Sequence, residues 1–478
     1  MASDPDYRPV VVPIQAGRPD SGTRNGIWFG TGRDTMGSDR DAPTVERQES
    51  DRLHRAATDV FPGGVSHNIR YVEPHPVYVD HTSDGRLWDV DGNEYVDFWM
   101  NHVTSVLGHA HPDVVEAVTS QARDGLHYGA PNEAALELGR RVREYVPSAE
   151  RVRFCASGTE ATMYAVRLAR ATTGRHVVLK AEGGWHGGNT DLSAAIHAPY
   201  DDPETAGLPP GAREHVAAFP VNDPDAVTDL FDEHAGDVAA VIIEPVLLAG
   251  GGVEAELEFI EFLREETSNR DALLIFDEVV TGFRVSPGSY QARLGITPDL
   301  TTLGKFLGGG LPVGALAGRA DLFEAARPDV DVPAEERVLA GGGTFTCNPM
   351  TAAAGLASLD VVDGEPVYEY TEGQGERLRE ELAATFDELG IDAEILGTSS
   401  LFLPHFQPAE PLVTVEAVET GTNRDALRAF HDRLLDRGYY FLPTHVGAIS
   451  YQTAEEQLDE FLADAREVAA DLQSAGVL

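Results

Sequence analysis

Four short, continuously apolar segments constrain the fold of this chain more than any other feature. They span residues 151–155, 176–180, 239–244 and 272–277, and helical stretches separate them. Apolar runs of this length, rich in β-branched side chains, are typical of strands that are buried on both faces, and intervening helices favour parallel pairing. The sequence therefore predicts an α/β fold in which a mostly parallel sheet lies between helices.

The length and the composition along the chain indicate two domains and an N-terminal extension. The 478 residues exceed the size of one ordinary hydrophobic core. Residues 1–50 are rich in Gly, Asp, Arg, Pro and Ser without sustained apolar periodicity, which predicts a segment that is flexible or draped on a partner. We assign 111–359 to a large domain, and 51–110 together with 360–478 to a smaller, discontinuous α+β domain.

Local patterns support this division. Asp91-Gly92-Asn93 interrupts an alternating, aromatic-rich stretch and predicts a β-hairpin. The sequence after about residue 360 is acidic and has helical periodicity. Helices are predicted at 112–125, 132–145, 376–389, 424–437 and 454–475.

The charge of the chain indicates where it functions and which partners it avoids. The excess of 79 Asp and Glu over 36 Lys and Arg gives a net charge of -43. Such a chain repels itself in dilute buffer, but molar salt shortens the screening length to about 3 Å, so we expect a halophilic protein. The charge argues against nucleic acid or anionic membranes as partners. Two cysteines, no apolar run near the roughly 20 residues needed to span a bilayer, and a polar start predict a cytoplasmic protein.

Lysine occurs only twice, at Lys180 and Lys305, whereas the other basic residues are arginine. Arginine replaces lysine in ion pairs, but it cannot condense with an aldehyde because its guanidinium stays protonated. Lys305 lies among small residues, which predicts open space for a cofactor around the amine. A surviving surface lysine is one alternative. A phosphate-binding lysine of a nucleotide loop is the other, but Asp299 and Phe306 occupy positions where that loop needs Gly and Ser or Thr.

The residues after the first apolar run form a candidate phosphate site. Ligands of such sheets bind beyond the carboxyl ends of the strands. Ser157, Gly158 and Thr159 precede a predicted helix, whose first N–H groups and positive dipole end favour an anion. Ser157 and Glu160 are also spaced as a capping box, and the two roles are compatible.

Three further strand ends carry candidate ligand groups. Trp185 lies between pairs of glycines, which favours a platform for a flat ring over a core position. Glu244 ends the third run. Asp277 closes the fourth, where a buried carboxylate needs a cation or a proton donor. A protonated ring nitrogen would serve, and Arg284 or a helix cap are the alternatives.

A lysine amine, a carboxylate for a ring nitrogen, a stacking aromatic and a phosphate loop at one sheet edge are the set that pyridoxal phosphate requires. The segments that carry this set resemble the class III, fold type I, pyridoxal phosphate-dependent aminotransferases. The nearest branch is that of the glutamate-1-semialdehyde aminomutases and β-amino acid aminotransferases. The matching stretches are 88–112, 152–175, 182–188, 273–285, 298–318 and 343–359.

The resemblance implies a role for individual residues. Lys305 would be the lysine that binds the cofactor covalently and then moves protons, and Asp277 the partner of the ring nitrogen. The large domain would hold the cofactor, and the enzyme would be a homodimer with two shared active sites. The other implied cofactor contacts are Ser157, Gly158, Thr159, Trp185, Glu244, Val279 behind the ring and Thr344, which would reach the neighbour's phosphate.

The resemblance leaves two reactions open. Arg70 falls where the aminomutases bind the substrate carboxylate, but His102 and His445 replace an aromatic and an acidic residue of their pocket. We therefore predict ping-pong amino transfer from an amino acid or amine donor to a 2-oxo acid, with glutamate-1-semialdehyde 2,1-aminomutase as the alternative. A non-catalytic scaffold is disfavoured by the retention of Lys305. His109 and His111 lack accompanying acids or thiols, so we expect a structural role and no metal.

Overall fold

The computed structural model describes residues 45–201, 204–209 and 211–478. Most of the predicted extension, residues 1–44, lies outside the described residues. The strands are β1 Val79–Ser83, β2 Arg86–Asp89, β3 Glu94–Asp97, β4 Arg151–Cys155, β5 Val177–Ala181, β6 Val216–Phe219, β7 Val238–Ile243, β8 Val246–Leu247, β9 Val253–Glu254, β10 Leu273–Glu278, β11 Leu300–Gly304, β12 Gly314–Gly318, β13 Ala393–Leu396, β14 Leu401–Phe406, β15 Tyr439–Tyr440 and β16 Gly447–Ala448.

A seven-stranded sheet forms the centre of the fold, with strand order β4-β12-β11-β10-β7-β5-β6. Strands β6, β5, β7, β10 and β11 pair in parallel, whereas β12 runs antiparallel to both of its neighbours. The four apolar runs correspond to β4, β5, β7 and β10, each within one residue of the predicted bounds. The predicted mostly parallel α/β sheet is confirmed.

Three strands of this sheet were missed by the sequence analysis. Strands β11 and β12 consist largely of Gly, Ala and Thr, and β6 has only four residues. None of them presents the long β-branched run that marks β7. Their small side chains suit the crowded interior, because a Cβ on Gly318 would lie 2.4 Å from the backbone oxygen of Asp299.

The helices flank the sheets and form much of the remaining core. The predicted helices at 112–125, 132–145, 424–437 and 454–475 agree with the structure within two residues. The helix predicted at 376–389 begins nine residues earlier, at Val367. Gly373 and Gly375 lower the helix propensity of this first part, and a Cβ on Gly375 would lie 2.0 Å from the backbone oxygen of Ser399. The helices are Gln48–Ala57, Pro112–Asp124, Glu133–Tyr145, Gly158–Thr173, Pro224–Glu233, Leu257–Asn269, Ser289–Leu294, Pro349–Gly364, Val367–Leu389, Val415–Gly421, Arg424–Leu435 and Glu455–Ser474.

Residues from both ends of the chain share a second core. The predicted hairpin is formed by β2 and β3, and β15 from the C-terminal part pairs in parallel with β3. Phe98, directly after β3, packs against Phe402, Phe441 and Phe461 with ring centroids 4.8–5.6 Å apart. This is the smaller α+β unit of the predicted fold class, while the exact domain boundaries stay a prediction. No helix among the described residues is long and apolar enough to cross a membrane.

Replacing Phe98 by Ala should destabilise the chain strongly. The side chain is fully buried in a cluster of aromatic rings, and large-to-small changes at such positions cost about 3–5 kcal/mol of unfolding free energy. Denaturant titration at molar salt, followed by circular dichroism, measures the change. The exposed Leu257→Ala substitution is the control, and an equal loss in both variants would contradict the packing described here.

Candidate active site

Five strand ends bring the candidate site residues to one edge of the large sheet. Ser157 follows β4, Trp185 follows β5, Glu244 follows β7, Asp277 lies at the end of β10, and Lys305 follows β11. These five strands run in the same direction, so their carboxyl ends meet. The edge therefore combines an amine, two carboxylates, an aromatic ring and the start of a helix.

The segment after β4 has the capping role that the sequence allowed, while its phosphate-binding role stays a prediction. Ser157 caps the helix Gly158–Thr173, and its Oγ accepts a hydrogen bond from the N–H of Glu160 at 3.2 Å. The Glu160 carboxylate turns back to the N–H of Ala156 at 2.6 Å. The N–H groups of the first turn remain available to an anion, as at any helix start.

Close packing joins this helix start to its neighbours. A Cβ on Gly158 would lie 2.8 Å from Cγ1 of Val279, and a Cβ on Gly187 would lie 2.3 Å from Oγ1 of Thr159. Val279 is also within reach of Gly304, where a Cβ would lie 3.2 Å from it. Val279 thus bridges the helix start and the strand that precedes Lys305.

Asp277 is buried, and neutral groups satisfy its carboxylate. Oδ1 accepts from the Thr302 hydroxyl at 2.8 Å and from the Val279 N–H at 3.2 Å. The alternative in which Arg284 neutralises Asp277 is wrong, because that guanidinium donates to Oγ of Ser400 at 2.8 Å and to the backbone oxygen of Val103. The helix-cap alternative is also wrong, because the residues after β10 form a turn, and the Val279 N–H that Asp277 accepts belongs to that turn.

His186 is a site residue to which the sequence analysis gave no role. Its Nδ1 donates to Oδ2 of Asp277 at 2.8 Å, and the ring is fully buried. Burial lowers the pKa of His186 despite the opposing effect of Asp277, which favours the uncharged ring. Its Nε2 is buried without a hydrogen-bond partner within the described residues. The sequence signal that could have identified His186 is its position directly after Trp185, between two pairs of glycines.

Lys305 is half-buried and has an unusual backbone conformation. It begins the turn after β11 with φ of 45°, a left-handed value that is rare for a non-glycine residue and often marks functional sites. Burial lowers the pKa of Lys305, while Asp277 and Glu244 act in the opposite direction. A lowered pKa favours the neutral amine, the form that acts as nucleophile and base.

Two of the glycines after Lys305 allow close packing and do not create the predicted open space. A Cβ on Gly308 would lie 2.8 Å from Cγ1 of Val313, and one on Gly309 would lie 2.5 Å from the backbone oxygen of Ala354. These glycines therefore let the turn pack closely against the helix Pro349–Gly364. Around Gly310, by contrast, no atom lies within 4 Å of an added Cβ.

Trp185 and Glu244 are joined through the backbone. The Trp185 side chain is 48% exposed, which leaves its ring accessible at the sheet edge. Its N–H donates to Oε1 of Glu244 at 2.8 Å. Burial, followed by the charge of Asp277, raises the pKa of Glu244 to about 8.

Lys180, the other lysine, is fully buried and bonded to carbonyl groups. Its Nζ donates to the backbone oxygens of Gly184 at 2.8 Å and Ala194 at 2.6 Å. These bonds hold the amine away from the exposed part of the edge. Of the two lysines, Lys305 alone occupies the end of β11 beside Asp277 and Glu244.

His102 and His445, the two positions that depart from the aminomutase pattern, lie with Trp99 on a rim of imidazole and indole rings. The Trp99 ring centroid is 4.7 Å from that of His102 and 5.6 Å from that of His445. His102 is exposed, yet desolvation by the surrounding protein, followed by the charges of Lys305, His445, His67 and Arg70, lowers its pKa to about 3. Arg70 is exposed, and its Nη1 donates to Oγ of Ser66 at 2.9 Å.

A left-handed turn shapes this rim. Met100, Asn101, His102 and Val103 all have φ between 46° and 59°, and such conformations cost energy for non-glycine residues. Asp97 holds the turn, since Oδ1 accepts from the N–H groups of Trp99 and Met100. Its Oδ2 bonds Nε2 of His109 at 2.7 Å. Among the described residues, no group of three or more His, Cys, Asp or Glu could hold a metal ion.

Thr344 follows Gly343, where an added Cβ would lie 3.6 Å from Oε1 of Glu160 in the helix after β4. It is exposed, as is Phe345, whose ring centroid lies 5.4 Å from that of His127. The nearby Gly342 N–H donates to the Tyr164 hydroxyl at 3.0 Å. An exposed position is compatible with the predicted contact to a neighbouring subunit, which stays a prediction.

Comparison with known proteins identifies the family. A model of the family "Aminotransferase class-III" matches residues 69–451. The chain belongs to the class III aminotransferases. Among its relatives, the glutamate-1-semialdehyde 2,1-aminomutase of Methanothermobacter thermautotrophicus is 39% identical over 433 residues, covering 89% of this chain and 100% of that one. The aminomutase of Halobacterium salinarum is 42% identical over 361 residues, covering 75% of this chain and 80% of its own.

Solved structures of this family confirm the fold type I architecture. An omega-transaminase from Sphaerobacter thermophilus has a TM-score of 0.83 at 32% identity, with 89% of this chain and 98% of that one covered. A transaminase with bound PLP has a TM-score of 0.81 at 31% identity, covering 90% and 99%. A Pseudomonas aeruginosa glutamate-1-semialdehyde aminomutase in complex with PMP has a TM-score of 0.80 at 25% identity, covering 89% and 95%.

These comparisons bear on the two predicted reactions and on the cofactor. The named sequence relatives favour the aminomutase alternative over intermolecular transfer, although transaminases are among the structural neighbours. The class III enzyme uses pyridoxal 5'-phosphate, as predicted.

The buried groups at the sheet edge fit this cofactor. None of the hydrogen-bond donors to Asp277 in the described part of the chain carries a full positive charge, so a protonated ring nitrogen would compensate the buried carboxylate. The helix start after β4 would hold the phosphate, and Lys305 has the lowered pKa of an amine that condenses with an aldehyde. The half-exposed Trp185 ring is free to stack.

Covalent trapping should identify Lys305. Borohydride reduction should fix the cofactor to the wild-type chain, and Lys305→Ala should prevent this, because the amine is then absent. Peptide mass spectrometry provides the measurement, and it is unambiguous because the chain contains only two lysines. Lys180→Met at saturating cofactor is the matched control and should still be labelled at Lys305. Labelling of the Lys305→Ala chain at Lys180 would contradict this assignment.

Asp277→Asn should retain cofactor but lose turnover. The amide preserves the shape and the contact with Thr302 but cannot keep a ring nitrogen protonated, so proton transfer should slow by roughly 10²- to 10⁴-fold. Single-turnover kinetics and a cofactor titration separate the two effects. Turnover within a few-fold of wild type would show that Asp277 serves mainly as a structural cap.

Proposed function

We propose that the chain transfers an amino group from an amino acid or amine donor to a separate 2-oxo acid, in a ping-pong reaction at the edge described above. The observation that carries this proposal is the rim of Trp99, His102 and His445 beside Lys305. Two imidazoles stand where the aminomutase resemblance implies an aromatic and an acidic residue. The substrate pocket thus differs from that of the aminomutases, whereas the cofactor residues match.

Each residue contributes a definite task to this reaction. The bound cofactor supplies an aldehyde for amines and a ring that withdraws electrons from the substrate carbon. Lys305 Nζ accepts a proton from the carbon that bears the amino group, because burial favours its neutral form. Asp277, held by its hydrogen bonds to Thr302 and His186, would stabilise positive charge at the ring nitrogen. Arg70 binds the substrate carboxylate.

The second candidate is glutamate-1-semialdehyde 2,1-aminomutase. The names of the sequence relatives favour it, since both relatives described above are aminomutases that align with three quarters or more of this chain. The same Lys305 and Asp277 would serve both reactions. They differ in whether the nitrogen returns to the same carbon skeleton or leaves with a second substrate.

A homodimer with shared active sites is part of the proposal. Leu126, Tyr128 and Phe345 are 64%, 46% and 64% exposed and lie at or near the predicted contact Thr344. Large apolar side chains at one surface are usually covered by a partner. A cytoplasmic location and adaptation to high salt, supported by the net charge of -43, complete the proposal.

Arg70→Ala tests the carboxylate site and, with a substrate screen, the reaction. Loss of a charge-assisted bidentate contact costs about 2–3 kcal/mol, so KM for carboxylate substrates should rise about 30- to 150-fold while amines without a carboxylate are little affected. Arg466→Ala, a surface change, is the control. Steady-state kinetics at molar salt provide the measurement.

The screen itself distinguishes the candidates. Wild-type protein is incubated with amino donors and either pyruvate or 2-oxoglutarate, and new amino acids are measured. The proposal expects transfer to the added 2-oxo acid. Efficient conversion of glutamate-1-semialdehyde to 5-aminolevulinate without any acceptor, together with no transfer to 2-oxo acids, would establish the aminomutase instead.

A further inference from the structure

The peptide unit that joins Gly184 to Trp185 is held from both ends by ionisable side chains. Its carbonyl accepts a hydrogen bond from Nζ of Lys180 at 2.8 Å. Its N–H donates to Oε1 of Glu244 at 2.8 Å. An amine at the oxygen and a carboxyl group at the N–H both align with the dipole of the peptide, so the orientation of this plane is strongly fixed.

Lys180 also ties together the two ends of one loop. The chain leaves β5 at Ala181, forms a loop that contains Trp185, and returns to β5 at Ala194 and Ala195. Nζ of Lys180 donates to the backbone oxygens of Ala194 at 2.6 Å and Ala195 at 3.5 Å. A compact ammonium presents three donors in different directions, which the planar guanidinium of arginine cannot reproduce. This geometry accounts for a second lysine in a chain that otherwise uses arginine.

The charge of Lys180 is costly to bury and is partly compensated by acidic residues. The side chain is fully buried in β5. Burial lowers its pKa to about 8, while Glu244, Glu204 and Glu182 oppose that shift. Maintaining a cation there requires a benefit elsewhere.

This benefit is the positioning of the side chains of Trp185 and His186, which follow directly from the clamped peptide bond. Trp185 is 48% exposed, so packing alone does not fix its ring. His186 is buried and bonds Asp277 at 2.8 Å. The position of both side chains therefore depends on the backbone that precedes them, and Gly183 and Gly184 give that backbone little side-chain support of its own.

We propose that Lys180 is a positioning residue that, with Glu244, clamps the Gly184–Trp185 peptide and so fixes Trp185 for the cofactor ring and His186 for Asp277. Lys180 itself does not touch the cofactor. The inference rests on the proposed use of this sheet edge, but it is independent of which amino transfer the enzyme performs.

Cofactor binding by the full-length chain provides the test. Lys180→Met keeps the length of the side chain and removes the amine, whereas Val178→Ala alters the same buried strand without touching the loop. Displacing positioned groups by about 1 Å can cost about 100-fold, so the Kd for pyridoxal 5'-phosphate should rise 10- to 100-fold in Lys180→Met. The visible circular dichroism of the bound cofactor should weaken as well. Val178→Ala should lower thermal stability with less than a threefold change in Kd.

A double-mutant cycle decides whether Lys180 acts through the loop. If it does, combining Lys180→Met with Trp185→Ala should raise Kd by clearly less than the product of the two single effects. Multiplicative effects would overturn the proposal, as would a Kd for Lys180→Met that stays within threefold of wild type. Should Lys180→Met fail to fold, Lys180→Gln, which removes the ammonium but keeps a polar side chain, must still raise Kd more than threefold. Failure of these binding tests leaves the amino-transfer assays unaffected, so the two proposals fail separately.

Discussion

A buried carboxylate at the end of β10 sets the arrangement of the site. Removing Asp277 from water is unfavourable unless each oxygen finds donors, and the fold supplies them from three directions. Parallel pairing places Thr302 of β11 opposite Asp277, and three residues later the chain reaches Lys305. The N–H of Val279 is the second donor, and the third is His186, which reaches the other oxygen because the loop after β5 enters the interior. The need to satisfy this one acid therefore explains the course of the loop after β5, and the strand pairing that supplies Thr302 also places Lys305 at the same edge.

The sequence predicts this edge well because its main determinants are local in the chain. Apolar runs located β4, β5, β7 and β10, and the residues at or shortly after the end of each run include Ser157, Trp185, Glu244 and Asp277. Strands β11 and β12 were not predicted because their Gly, Ala and Thr residues do not form a strongly apolar, β-branched run. Their strand conformation depends on pairing with β10 and β4.

The features that could not be predicted from the sequence depend on contacts between segments that are distant in the chain. Arg284 had a plausible charge partner in Asp277, seven residues earlier, but it contacts Ser400 and Val103 instead. The glycines near Lys305 allow close packing against Val313 and Ala354, which no local pattern reveals. The bonds of Lys180 likewise require knowledge of where residues 194 and 195 return. Burial and partner choice, rather than residue type, decide these cases.

The distribution of primary amines has a chemical consequence. One ε-amino group is fully buried and bonded to carbonyls, and the other is half-buried beside two carboxylates. The outer surface therefore presents no lysine to reducing sugars or other metabolic aldehydes, which react with exposed amines. Adventitious glycation or acylation has no internal ε-amine target on that surface, and an aldehyde that enters the active-site edge meets one amine alone.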